Sequence, residues 1–203
     1  WEVPAHEQTA INGVWVEAPA AEFFKKLIKK FPSLSLIAED LGVITDDVRD
    51  IMQRFGFPGM KVLQFAFSED LPTHPYLPHN YTPHCVVYTG THDNNTTRGW
   101  FEQETTAEDR RRLFNYLGRE VSAEEIPHEF IRLAMMSVAK TVIFPLQDIL
   151  RLGAESRMNR PATTHGNWEW RVTPDQITAA CADNLSTLTR IFGRIQSNTA
   201  IEK

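Results

Sequence analysis

The sequence predicts an α/β fold of about four parallel strands alternating with helices, which amounts to about half of a (β/α)8 TIM barrel. Three observations predict it. Short apolar runs recur between amphipathic stretches, which implies parallel pairing through right-handed crossovers. Those runs end in polar residues: Glu39 and Asp40, Gln64, the Thr91-His92-Asp93 run, then Gln147 and Asp148. A barrel carries its site on that face, and the glycine-rich phosphate loops that an open nucleotide-binding sheet needs are missing. A whole barrel takes about 250 residues and eight strands, so four strands make about half of one.

Each element has a local reason. Ala20, Phe23, Phe24, Leu27, Ile28 and Phe31 recur at the spacing of one helical face, with Lys25, Lys26, Lys29 and Lys30 opposite. Residues 34–38 form a short apolar run that turns polar at Glu39 and Asp40 and breaks at Gly42, the pattern of a buried strand. Thr45 is placed to cap a second helix, with Asp46 and Asp47 in its first turn, a stripe of Val48, Ile51, Met52 and Phe55, and Gly56 past its end. Residues 60–67 and 85–89 read as the second and third strands. Arg98, Gly99 and Trp100 begin the next helix; others follow near 106–118 and 129–140, and 141–146 makes the fourth strand. Thr173 and Gln176 spell a capping box with Pro174 at the first helical position. It opens a last helix striped by Ile177, Ala180, Cys181, Leu188, Ile191 and Ile195, which puts Cys181 in the core.

Charge and composition exclude several classes. With 26 acidic and 21 basic residues the net charge is −5, which offers no electrostatic footprint for nucleic acid or an anionic membrane surface. No apolar run approaches the roughly 20 residues that cross a bilayer. Cys85 and Cys181 lie far apart in unrelated contexts, so they are expected to be two thiols in a reducing cytoplasm. Residues 1–19 read as a loop whose preceding strand lies elsewhere, and the chain is expected to be one partial domain of a larger barrel. His74, His79 and His84 recur at intervals of five, which matches neither helix nor strand, and no cysteine or acidic cluster completes a zinc shell. No metal or other cofactor is expected.

Carboxylates at neighbouring strand ends are what glycoside chemistry uses. In a retaining mechanism one carboxylate attacks the anomeric carbon while a carboxylic acid about 5 Å away protonates the leaving oxygen. A third can stabilise the cation-like transition state. Glu39 and Asp93 are the candidates here. On spacing alone, an acidic residue ending a strand serves equally as a helix cap or a surface salt bridge. Glu39 and Asp40 are adjacent, so regular strand geometry sends them to opposite faces and only one meets the barrel mouth. Glu39 is the favoured one, with Asp40 a structural hydrogen-bonding residue.

Four longer stretches sharpen this. Residues 37–42 read IAEDLG, 56–65 read GFPGMKVLQF, 87–97 read VYTGTHDNNTT, and 157–171 read RMNRPATTHGNWEWR. Together, and in this order, they resemble the amylomaltase family of 4-α-glucanotransferases, the disproportionating enzymes. The resemblance covers residues 1–171 and implies the C-terminal half of an interrupted (β/α)8 barrel of the α-amylase type. It implies transfer of α-1,4-glucan segments between maltodextrins through a covalent β-glycosyl-enzyme, with an α-glucan hydrolase or debranching enzyme on the same barrel, or a non-catalytic glucan-binding or assembly fragment, as the competing readings. By resemblance Glu39 takes the place of the general acid/base, Asp93 that of the transition-state stabiliser, and His92 and Asn159 those of ligands to sugar hydroxyls. The nucleophilic aspartate belongs to a motif of the form RIDHFRG that would precede this chain, so these residues alone are expected to be inactive and to need the N-terminal half as partner.

Some readings stay open at this level. Asn159 lies in a glycine- and proline-punctuated loop, where a turn-capping role competes with sugar binding. Trp168 and Trp170 alternate, so one can face a glucose ring while the other packs. The family usually has aspartate where Asn95 stands and glycine where Ala162 stands. Asn95 removes a charge near Asp93, and Ala162 matters only if its loop needs a positive φ.

Overall fold

The computed structural model describes residues 1–69 and 72–195. Contacts within the chain separate two compact units, Trp1–Phe57 and Pro58–Lys203.

In the first unit Trp1 donates from Nε1 to the Ala10 carbonyl at 2.9 Å and lies edge-on to Trp15, with ring centroids 5.3 Å apart. Helix α1, Ala20–Lys30, and helix α2, Asp46–Phe55, form where the apolar stripes predict them. Their apolar faces meet through Phe24, whose ring lies 5.5 Å from Phe55 and 4.8 Å from Phe57. Gly56 ends α2 at φ +65, a left-handed conformation that favours glycine. Thr45 occupies the N-cap position without a side-chain bond to the helix backbone. Its hydroxyl is engaged by Asp47 instead, which holds that carboxyl below its ordinary range.

Residues 34–38 are a correction: they form no strand. Leu34 and Ile37 are exposed, and the only named sheet among the described residues holds three strands rather than four. An apolar run sets an extended backbone, but a strand exists through its ladder partners, which local sequence does not specify.

The second unit contains that sheet, in the order β1 (Gly59–Val62), β2 (Cys85–Tyr88), β3 (Thr141–Ile143). All pairs are parallel, with Val62 opposite Tyr88 and Tyr88 opposite Ile143. Parallel pairing of consecutive strands needs crossovers: among the described residues the β1–β2 connection carries only the 3₁₀ turns Leu63–Phe65 and Pro78–Asn80, whereas helices make the β2–β3 one. Between β2 and β3 lie α3 (Thr97–Gln103), α4 (Ala107–Leu117) and α5 (Ile126–Met136). After β3 come the short α6 (Leu146–Ile149) and, later, α7 (Ala179–Ile191). The core joins Leu63, Phe67, Val87, Trp100, Leu113, Ile126 and Phe130 beneath the sheet. Ile131, Met135 and Leu188 make a second cluster that anchors α7.

Four boundaries differ from the sequence expectation, one of them the strand expected over 141–146, which ends at Ile143 before Pro145 and α6. The run at 60–67 leaves strand geometry after Val62 and continues as a turn of 3₁₀ helix, Leu63–Phe65. The helix expected over 129–140 starts earlier, at Ile126, because Pro127 fits the first turn. The Thr173–Gln176 capping box is present but closes only a 3₁₀ turn, Pro174–Gln176; α7 is capped separately by the Thr178 hydroxyl. Cys181 receives that cap at its N–H and is half-buried, not core, whereas Cys85 is buried and its thiol donates to the Thr82 carbonyl at 3.1 Å.

One buried carboxylate ties the strand ends together. Asp148, 1% exposed, accepts from the Thr89 hydroxyl at 2.5 Å, the Thr97 hydroxyl at 2.7 Å and the Thr97 N–H at 2.7 Å. These bonds link the residue after β2, the first residue of α3 and the segment after β3. Burial pushes the Asp148 carboxyl above its ordinary range, against the opposing effect of the bonds from Thr89 and Thr97. A folded-state pKa above the unfolded one means that the native protein holds the proton more tightly. The stability tied to this group is therefore full at low pH and falls as pH rises through the ordinary aspartate range. In urea unfolding of the intact protein, the parent should lose stability relative to Asp148→Asn as pH rises from about 4; a constant gap contradicts the placement. Asp148→Ala, which strands three donors, should cost about 3 kcal/mol at neutral pH.

Candidate functional site

Between β2 and α3 the chain makes a tight turn that presents His92 and Asp93. Asn94 builds it: its Oδ1 accepts from the Thr91 N–H at 2.9 Å and the Thr91 hydroxyl at 2.8 Å. The Thr91 hydroxyl in turn accepts from the Asp93 N–H at 3.3 Å. Thr96 then caps α3, accepting from the Gly99 N–H at 3.0 Å. Gly99 is required at that spot, since a Cβ there would lie 2.5 Å from Asn95 Oδ1 and 2.9 Å from the Ala154 Cα. Gln64, in the 3₁₀ turn that follows β1, is buried and donates from Nε2 to the Asn95 carbonyl at 2.9 Å. Both flanks of the turn are thus fixed from below.

From the other side the segment after β3 reaches over this turn. Asn159 donates from Nδ2 to Asp93 Oδ1 at 2.6 Å. His92 Nε2 lies 3.4 Å from the same oxygen. Both His92 and Asp93 keep half their side-chain surface in solvent. The structure therefore brings together three of the four expected site residues: His92, Asp93 and Asn159. The fourth, Glu39, belongs to the first unit, where its exposed side chain accepts from the Leu41 N–H at 2.8 Å through Oε1. Asp40 beside it is more buried.

The loop that carries Asn159 is internally stapled. Asn167 accepts from the Arg160 N–H at 2.8 Å and donates to the Thr163 carbonyl at 3.1 Å. Trp168 holds a left-handed backbone, φ +63, which a bulky residue rarely adopts. Its N–H donates to the Met158 carbonyl at 2.7 Å, and its carbonyl accepts from Arg171 at 2.8 Å. That backbone sets the exposed Trp168 ring 5.2 Å from the His92 ring, so the aromatic face stands beside the carboxylate. Trp170 is the more buried of the two tryptophans. An oriented carboxylate, an amide, an imidazole and an open aromatic face are the groups that bind and polarise a sugar ring. Among the described residues no group of three His, Cys, Asp or Glu is arranged to hold a metal ion. Of the histidine series, His79 is engaged by the Tyr116 hydroxyl at 3.1 Å and the Pro72 carbonyl at 2.7 Å.

A family model described as 4-alpha-glucanotransferase matches residues 1–178. The chain belongs to that family. It is 52% identical over 196 residues to the 4-alpha-glucanotransferase of Synechocystis sp., covering 96% of this chain and 38% of the relative. Against the 4-alpha-glucanotransferase of Aquifex aeolicus the identity is 47% over 194 residues, with 96% and 39% covered. Among solved structures, the amylomaltase from Streptococcus agalactiae in complex with acarbose matches with a TM-score of 0.88 at 37% identity, over 95% of this chain and 39% of that one. The chain thus spans about two fifths of the length of the relatives it matches.

Sequence reasoning missed Arg157 and Glu104. The Arg157 guanidinium donates to the carbonyls of Asp93 at 2.6 Å and Asn159 at 2.8 Å, and to Glu104 Oε1 at 3.3 Å. Arg157 opens the RMNRPATTHGNWEWR stretch two residues before Asn159, which was the available signal. Ala162 holds φ +63, so the loop does need the left-handed conformation that glycine provides without strain. Ala162→Gly should stabilise the protein by about 1 kcal/mol, read as a higher unfolding midpoint; an unchanged or lower midpoint contradicts the strained loop.

Proposed function

We propose that this chain forms the C-terminal part of the catalytic (β/α)8 barrel of a 4-α-glucanotransferase that moves α-1,4-glucan segments between maltodextrins. The observation that carries the reading is the Asp93 carboxylate, held by Asn159 Nδ2 at 2.6 Å on a turn beyond a parallel strand, with His92 and the open Trp168 ring beside it. Family membership supports it independently.

The mechanism is a retaining double displacement. An aspartate outside these residues, in the N-terminal part of the same enzyme, attacks the anomeric carbon. Glu39 protonates the departing glycosidic oxygen and later takes the proton of the incoming sugar hydroxyl. Asp93 acts electrostatically: both of its described contacts fall on Oδ1, which leaves Oδ2 for sugar hydroxyls beside the developing positive charge. Asn159 fixes the carboxylate and shares sugar hydroxyls with His92, and Trp168 offers an apolar face to a glucose ring. The residues present call for no cofactor, because the glucosyl donor carries its own leaving group. Cys85 and Cys181 are not joined in a disulfide, which suits a reducing cytoplasm, and among the described residues no helix is long and apolar enough to cross a membrane.

Incubation of the intact protein with maltotriose tests this. Transfer yields glucose and longer maltodextrins with constant total reducing ends, whereas a rise in reducing ends indicates hydrolysis and contradicts the reading. Glu39→Gln and Asp93→Asn should each lower kcat by about 10³-fold. Full activity in either variant removes the role assigned to it.

A further inference from the structure

Three side chains that the mechanism leaves unused meet behind Asp93. Asn95 is 3% exposed; its Oδ1 accepts from the Thr96 N–H at 2.9 Å, and its Nδ2 donates to Glu104 Oε1 at 2.9 Å. Arg157, mostly buried, donates to that same Glu104 oxygen at 3.3 Å. The remaining nitrogens of its guanidinium reach two backbone carbonyls, those of Asp93 at 2.6 Å and Asn159 at 2.8 Å. One planar cation therefore holds the backbone of both residues whose side chains bond each other at Asp93 Oδ1. Guanidinium donors have a fixed fork geometry, so aiming two of them constrains the third.

We propose that Asn95, Glu104 and Arg157 form a positioning relay for Asp93, and that the relay requires a neutral donor at residue 95. Glu104 can accept from Arg157 in the observed geometry only while its second partner brings a proton. Asn95 Nδ2 supplies that proton. A carboxylate in place of that amide would set two acceptors 2.9 Å apart with nothing between them, in a site where residue 95 is buried. Glu104, whose side chain is 42% exposed, is the partner able to turn away. Its departure would release Arg157 and loosen the two carbonyl ties. The departure from the family pattern at Asn95 is then one half of a matched pair whose other half is Glu104.

This rests on Asp93 having the role proposed above, and the test keeps the two apart. In the intact protein, Asn95→Asp should lower kcat for maltotriose transfer by about tenfold or more, with a smaller change in KM, because a shifted catalytic group impairs the reacting geometry more than it impairs binding. Adding Glu104→Gln to that variant reverses donor and acceptor: the new amide donates to the new carboxylate while its oxygen still accepts from Arg157. The double variant should recover most of the lost kcat. Arg157→Lys, a point charge without the fork, should lose kcat and gain nothing from Glu104→Gln. A double variant no better than Asn95→Asp, or an Asn95→Asp protein matching the parent, overturns the relay. Urea unfolding of the parent, Asn95→Asp, Glu104→Gln and the double variant provides a second readout. If the parent transfers no glucan, the proposed function fails, and coupling between positions 95 and 104 in the unfolding midpoints still supports the pairing, whereas additivity overturns it.

Discussion

The Asp148 carboxylate is the constraint on which the strand-end geometry depends. It lies fully inside the protein and accepts from Thr89, at the end of β2, and twice from Thr97, at the start of α3. Everything between those two threonines, including His92, Asp93 and Asn95, is a loop closed at its base on one buried acceptor. Leaving such an acceptor unpaired in a low-dielectric interior is expensive, and so is leaving its three donors unpaired. The turn is thereby over-determined: Asn94 shapes it from within, Gln64 supports it from the 3₁₀ turn after β1, and Asp148 closes it. Over-determination is what allows Asp93 to remain half in solvent and yet fixed.

A second layer of constraint arrives from the segment after β3. Arg157, Asn159 and Trp168 are not on a strand or a long helix, and their positions come from side-chain bonds to backbone rather than from a regular ladder. The cost of this arrangement is visible in the left-handed backbones of Ala162 and Trp168. Strained residues of this kind persist where neighbouring contacts enforce them, and they concentrate where chemistry needs a particular side chain in a particular place. Here the enforced place is beside His92.

What the sequence made legible follows from how local each cause is. Helix α1 was readable from its apolar stripe alone, and α2 and α4 because start signals, stripes and terminal glycines all lie within one segment; the Thr106–Asp109 capping box and Gly118 at φ +74 bound α4. β2 was readable because Cys85–Tyr88 is almost wholly buried and flanked by turn residues. Residues 34–38 misled because apolar content does not specify a ladder partner. The Thr173 box misled because a capping box can close a single 3₁₀ turn as well as open a helix. At the site, Asp93, His92, Asn159 and Arg157 stand in motifs that could be quoted, whereas Glu104 lies outside them and meets Arg157 across 53 residues of sequence separation. Pairings at that range leave no periodicity to read, so only coordinates reveal them.

The most direct measurement is a crystal structure of the intact protein with a maltooligosaccharide analogue bound. The sugar ring should lie against Asp93, with Asn159 still bonded to Oδ1 and the Glu39 carboxyl within hydrogen-bond reach of the glycosidic oxygen. A ligand that settles with Asp93 untouched, or with Glu39 remote from the scissile linkage, would contradict the account.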